Sequence, residues 1–322
     1  MHRSPTRGRR PAVLSLALAA GLVLTACGGS DDGGGESADG TTSLSVGYFP
    51  LVHTASVVNA AERGLFTEEG LDVELAPTAG GAQAIPALVA GEFDITYGNY
   101  TSVFLGAQQG LPLQLVAGND LGGDDHSVLV TADSPIQSPA DLAGKRIAVN
   151  NLLNIGTVAI NTQLREAGVD PEQVTYVELP LPDMQPALER GDVDAIWQVE
   201  PFQANALAAG DRIVLPMFAG PTESMPVAGW VTTQQFAQEN PEAVQAFQRA
   251  LEASMEELQD DRARLVELVP TYTQVPADVV EQVAMPTWSA ELDAEALQEI
   301  ADYMLEYELI DEEFDVSTIT GG

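Results

Sequence analysis

One cysteine, one lysine and three histidines in 322 residues close off several kinds of chemistry. A single cysteine, Cys27, forms no internal disulfide and builds no thiolate cluster. The histidines are His2, His53 and His126, and His2 lies in the extreme N-terminal segment. Two remaining histidines with no second cysteine do not suggest a metal site. Basic residues are scarce as well, 13 against 48 acidic. Four of the 13 are arginines within the first ten residues, which leaves 9 against 48, a net of −39, for the rest of the chain. No basic patch exists to neutralise phosphates, so nucleic acid is excluded as a partner, and an anionic lipid surface is a poor one. The acidic excess reads as a solvated coat. There is no G-x-S-x-G to expose a nucleophilic serine and no glycine-rich phosphate loop carrying a lysine. These absences point away from an enzyme and from a bound cofactor.

The one long apolar run, PAVLSLALAAGLVLTA (11–26), follows MHRSPTRGRR and is too short and too sharply ended for a spanning helix. The pattern is that of a secretory signal. Arg9-Arg10 leaves both the general and the twin-arginine export routes open. The run ends in LTAC (24–27), which resembles the bacterial lipobox, whose cysteine is diacylated and becomes the new N-terminus. Residues 1–27 are therefore expected to be a lipoprotein signal peptide, with lipid at Cys27 anchoring an exported protein to the outer face of the cell membrane. Residues 28–43, rich in Gly, Ser and Asp, read as a flexible tether.

The body contains an internal echo. LVAGEFDI from Leu88 and LERGDVDA from Leu188 share the pattern L-x-x-G-acid-apolar-D-apolar, a hundred residues apart. Upstream, GLDVELAP (70–77) parallels QVTYVELP (173–180), and LSVGYFP (44–50) parallels RIAVNNL (146–152). ASVVNAAERGLF and TVAINTQLREAG, which follow the first strands, have apolar residues three and four apart. Each half thus reads strand, helix, strand, helix, strand, the alternation of parallel α/β units. The expected architecture is two similar lobes, each a mainly parallel sheet flanked by helices, with a ligand cleft between them. Lobe one comprises 44–126 and 231–322, and lobe two comprises 127–230. HSVLVTADSPI (126–136) and SMPVAGWVTT (224–233) are the expected crossings.

Ligands of open α/β sheets bind outside the carboxyl ends of the strands. In lobe one those ends carry Pro50 and His53, then Gly80, Gly81 and Gln83, then Asn99, Tyr100 and Thr101. In lobe two they carry Asn150, Asn154, Gly156 and Thr157, then Asp183 and Met184, then Glu200. Several of these are helix starts, where free N–H groups favour anions.

Four segments resemble substrate-binding proteins of the nitrate/sulfonate/taurine type: VGYFPLVHTASVVNAAERGLFTEEGLDVEL, PALVAGEFDITYGN, DLAGKRIAVN and LERGDVDAIWQVEPF. The related pyrimidine-precursor-binding proteins share these signatures, of which Ala60 to Val73 is the most diagnostic. The resemblance spans about residues 44–235. It implies a type II periplasmic-binding-protein fold, a monomer without catalysis, and delivery of a small molecule to the permease of an ABC importer. It also implies that the strand-end loops contact ligand and that Glu200-Pro201 borders the cleft. Two alternatives stay open: an enzyme of the same fold acting on a pyrimidine or related precursor, and a ligand-sensing partner of a receptor. No arginine or lysine stands among the candidate cleft positions. Glu200 and Asp183 accept hydrogen bonds when ionised. They lead to the expectation of a ligand with nitrogen donors, zwitterionic or heteroaromatic, with Tyr97, Tyr100 or Trp197 able to stack on a ring. DLGGDDH (120–126) could hold a cation through Asp120, Asp124 and Asp125, but reads more simply as a solvated turn.

Overall fold

A computed structural model describes residues 41–321. The signal segment, Cys27 and most of the tether lie outside the described residues. No described helix is long and apolar enough to cross a membrane.

The two halves of the repeat fold alike. In the first, β1 (Thr42–Tyr48) leads through α1 (Ala55–Arg63) and α2 (Leu65–Glu68) to β2 (Leu71–Pro77). Then α3 (Gly81–Val89) leads to β3 (Ile95–Asn99), followed by α4 (Tyr100–Gln108) and β4 (Leu113–Leu121). After β5 (His126–Val130), the second half runs β6 (Arg146–Val149), α5 (Ile155–Glu166), β7 (Thr175–Glu178), α6 (Leu181–Glu189), β8 (Ala195–Val199), α7 (Phe202–Ala208) and β9 (Arg212–Pro216).

The echo motif explains why both halves turn in the same way. Gly91 and Gly191 end α3 and α6 at φ 80° and 72°, a left-handed conformation that glycine adopts without a Cβ penalty. The next acidic residue then donates its N–H back into the helix, Glu92 to Ala87 and Asp192 to Ala187. Two residues on, the motif aspartate staples the new strand to the first one. Asp94 Oδ2 accepts from Ser45 N at 2.7 Å, and Asp194 Oδ2 from Arg146 N at 2.8 Å. The spacing therefore encodes a helix stop, a turn and a strand registration in eight residues.

The first sheet has the order β11-β4-β10-β3-β1-β2, with β10 at Pro226–Thr233 and β11 at Thr287–Trp288. The second has the order β7-β6-β8-β5-β9. Within each, the repeat strands pair in parallel, β1 with β2 and β3, and β6 with β7 and β8. The sheets are mixed rather than mainly parallel, because the strand arriving from the other lobe enters antiparallel. β10 runs against β3 and β4, and β5 runs against β8 and β9. His126 already belongs to the second sheet, and the chain is back in the first by Pro226. The two crossings are thus the short segments 122–125 and 217–225.

The rest of the chain is helical: α8 (Gln234–Glu239), α9 (Pro241–Leu258), α10 (Arg262–Tyr272), α11 (Ala277–Val280), α12 (Ala294–Glu306) and α13 (Ser317–Thr320). One face of α9 is buried at Ala243, Phe247, Ala250, Leu251 and Leu258. Phe247 stacks on Phe66 at 5.4 Å and meets Trp230 edge-on, so this helix covers the first sheet.

Candidate functional site

The carboxyl ends of the repeat strands meet across a cleft with two chambers. The inner one, about 40 Å³, is walled from lobe one by Phe49, His53, Gly80, Gly81, Tyr97 and Asn99. From lobe two come His126, Asn150, Asn154, Ile155, Leu181 and Trp197. A volume of this size holds roughly two or three waters, or one compact acid group. The outer chamber, about 750 Å³, shares Phe49, Asn150 and Leu181 with the inner one and adds Pro50, Gln83 and Tyr272 among others.

The polar groups of the inner wall are mostly donors, because their acceptor atoms are already in use. Asn99 caps α4: its Oδ1 accepts from Ser102 N at 2.9 Å and from the Thr101 hydroxyl at 2.6 Å, which leaves the Nδ2 group. Asn154 caps α5, its Oδ1 accepting from Gly156 N at 2.9 Å, while its Nδ2 donates to Asn150 Oδ1. The Asn150 carbonyl is thereby occupied and its amide N–H₂ is left over. Trp197 Nε1 is buried without a partner. Gly80 and Asn154 are the N-caps of α3 and α5, and Gly81 and Ile155 are the first residues of those helices. The orphan N–H groups and positive ends of two helix dipoles therefore stand at the wall.

At the base lies a buried network of titratable groups. His53 Nε2 is 2.5 Å from Asp125 Oδ2, and the Tyr97 hydroxyl donates to Asp120 Oδ1 at 3.0 Å. Asn119 Nδ2 also donates to Asp120 Oδ1, at 2.8 Å. Burial pulls the His53 pKa down, but Asp120, Asp125 and Glu200 outweigh it and hold the ring above its ordinary value. Burial pushes the Asp125 carboxyl up, but His126 and His53 overcome this and hold it well below the usual carboxylate range. Asp120 is raised, chiefly by burial, and so is the Tyr97 phenol.

Of the residues expected at the site, His53, Gly81, Asn99, Asn150 and Asn154 line the inner chamber, and Pro50 and Gln83 line the outer one. The others lie elsewhere. Tyr100 is buried against Phe104 and over Gly229. Met184 is core and Asp183 is exposed on α6, lining neither chamber. Thr157 completes the Asn154 cap.

Glu200 is also outside both chambers. Its Oε2 accepts from Ala204 N at 2.9 Å. Its Oε1 accepts from Ala284 N at 3.0 Å and Gln203 Nε2 at 3.2 Å. The carboxylate caps α7 and clamps lobe two to the segment before β11. Burial raises its pKa, and these hydrogen bonds partly offset the shift. The acid once expected to meet the ligand is used up within the fold. The wall that remains favours a ligand that accepts hydrogen bonds. Phe49, Leu51 and Leu181 were missed because a lone apolar residue in a loop looks the same whether it lines a cleft or fills a core.

A profile of the family described as NMT1/THI5 like matches residues 52–263. The chain belongs to that family. It is 27% identical over 213 residues to the taurine-binding periplasmic protein of Escherichia coli, covering 65% of this chain and 64% of that protein. It is 28% identical over 185 residues to the formylaminopyrimidine-binding protein of Halalkalibacterium halodurans, covering 57% and 54%. The match thus spans under two thirds of the length of either relative. Among solved structures, the alkanesulfonate-binding protein of Xanthomonas axonopodis pv. citri, bound to MOPS, superposes with a TM-score of 0.76. It covers 86% of this chain and 97% of that one at 20% identity. The fold is that of type II periplasmic binding proteins.

Within this family member, Gly156 is a packing position. A Cβ there would stand 2.6 Å from the Trp197 ring, so glycine lets the indole lie against the first turn of α5. Gly156→Val is expected to displace Trp197 and to lower unfolding stability by about 1–3 kcal/mol. Urea denaturation followed by tryptophan fluorescence would check it, and unchanged stability would reject the close contact.

Proposed function

We propose that the protein is an extracytoplasmic solute-binding protein. It captures a small organic molecule with an acidic, sulfonate-like head group and delivers it to an ABC importer. The observation that carries this reading is the inner chamber, whose free polar groups are amide, indole and helix N-terminal donors. A tetrahedral or planar acid group suits such a wall, while the outer chamber takes the rest of the molecule. Both lobes contribute, so a bound solute touches more protein in the closed state and shifts the population towards it. Kinship with a taurine-binding and a formylaminopyrimidine-binding protein supports a solute containing nitrogen or sulfur. The aromatic walls, Phe49, Tyr97 and Trp197, favour as a second reading a heteroaromatic solute carrying acceptor atoms.

Native mass spectrometry of freshly purified protein would identify any co-purifying solute. Calorimetric titration with taurine, a short alkanesulfonate, formylaminopyrimidine and nitrate would then rank the classes. Binding of the sulfonates without turnover supports the reading. Preference for a bare amine, or conversion of any of these compounds, would reject it. Lipid anchoring through Cys27 completes the proposal: Cys27→Ser is expected to move the protein from the membrane fraction to the soluble one. Retention in the membrane fraction would count against the lipobox.

A further inference from the structure

Two carboxyl groups and two imidazoles are buried together at the base of the inner chamber. Asp120, Asp125 and His53 are each 1% exposed, and His126 is 3% exposed. No lysine or arginine is among the buried polar side chains of the described residues. Buried carboxylates are normally paired with cations or coordinate a metal. Here Asp120 Oδ2 has no hydrogen-bond partner.

The geometry around Asp125 suits a cation. One ligand atom from each of His53, Asp125 and His126 lies within 4.8 Å of the others, and all three residues are buried. Asp125 is bracketed, with His53 Nε2 at 2.5 Å from one carboxylate oxygen and His126 Nδ1 at 3.1 Å from the other. The His126 contact has ion-pair distance but not hydrogen-bond direction, so Nδ1 remains without a hydrogen-bond partner. Two imidazoles and a carboxylate form the three-ligand set of an open zinc-type site. Nitrogen-rich donors of this kind favour late first-row dications over magnesium or calcium. His53 and His126 also line the inner chamber.

We propose that His53, Asp125 and His126 bind one divalent transition metal of the zinc class at the base of the cleft, its fourth position facing the solute. The residues come from two places. His53 sits in the β1–α1 loop of lobe one, and Asp125 and His126 sit where the chain enters lobe two. The metal would therefore tie the lobes together at the crossing. Asp120 would supply outer negative charge. Asp124, exposed at the turn, takes no part. The segment 120–126 is exposed only at Asp124, since Asp120, Asp125 and His126 are buried, and the second histidine is 73 residues from the first in sequence.

The test needs no solute, so it stands apart from the proposed function. The purified chain is stripped with a chelator and titrated with Zn²⁺ in the presence of excess Mg²⁺, which occupies the acidic coat. Uptake of one equivalent is expected, with His126→Ala and His53→Gln each weakening it by at least about 100-fold, the upper end of what loss of an outer-shell partner costs. Co²⁺ substitution is expected to give the visible absorption of a four-coordinate site, lost in His126→Ala. If His53→Gln fails to fold, His126→Ala and His126→Gln carry the comparison. No stoichiometric uptake, or equal uptake by the parent and His126→Ala, would overturn the proposal and assign any bound metal to the surface.

Discussion

Asn99→Asp is expected to leave the fold intact and to weaken binding of a sulfonate by at least about 100-fold, near 2.7 kcal/mol. The substitution separates two roles of one side chain. Asn99 Oδ1 caps α4 by accepting from Ser102 N at 2.9 Å. Aspartate caps a helix as well as asparagine does, and its charge suits the helix N-terminus. Unfolding stability should therefore change by no more than about 0.5 kcal/mol. The other half of the amide behaves differently. Its Nδ2 lies beside Gly81, 3.2 Å from where a Cβ would stand. In aspartate this donor becomes an acceptor with a negative charge. A lost hydrogen bond to a charged group costs about 1.5–3 kcal/mol, and like-charge repulsion adds to it. Calorimetry with the parent's solute and urea unfolding of both proteins would measure the two effects separately. Unchanged affinity would remove Asn99 from the site. Tighter binding would mean that the solute presents hydrogen-bond donors.

Glu200→Leu is expected to cost about 3–5 kcal/mol of stability, because buried donors are left without an acceptor. Two backbone donors, Ala204 N and Ala284 N, lose their acceptor at once, and Gln203 Nε2 is left with Asp124 O alone. Each buried donor left unsatisfied carries a penalty of about 1–3 kcal/mol. Domains of ordinary stability have only about 5–15 kcal/mol in total, so the variant should unfold at far lower urea. Glu200→Gln keeps one acceptor oxygen and should cost less. The decisive measurement is ligand-free unfolding. A glutamate held only for the ligand would leave ligand-free stability unchanged or raise it, because its removal relieves the cost of burying a carboxylate. A large loss in the absence of solute supports the clamp between α7 and the segment before β11.

Much of the fold was legible because it is locally encoded. The motif from Leu88 and its echo from Leu188 specify a helix end, a left-handed glycine and a strand start within eight residues. Parallel strands joined by helices then place all six strand ends on one side. That is why His53, Gly81, Asn99, Asn150 and Asn154 could be named from their positions alone. Asn99 and Asn154 also told which helices they cap, since asparagine before an apolar helical run is a cap signal.

The rest depended on contacts between distant segments. The sheets are mixed because β5 and β10 each arrive from the opposite lobe, which no local pattern reveals. Gly156 stands among the strand-end candidates in sequence, but Trp197 occupies the space above it. Tyr100, at the strand end, was the stronger candidate in sequence, but only Tyr97 reaches the chamber.

By itself, the sequence determined two repeated α/β units, an acidic body with hardly any cations, and a cleft at the strand ends. Those properties follow from periodicity, turn chemistry and composition, which act over a few residues at a time. Only the tertiary structure decided the sense of the site. Glu200 turns away because Ala284 N, 84 residues later, takes its carboxylate. His53 meets Asp125 across 72 residues. Whether a polar atom is spent inside the fold or left free for a ligand is settled by its partners in space.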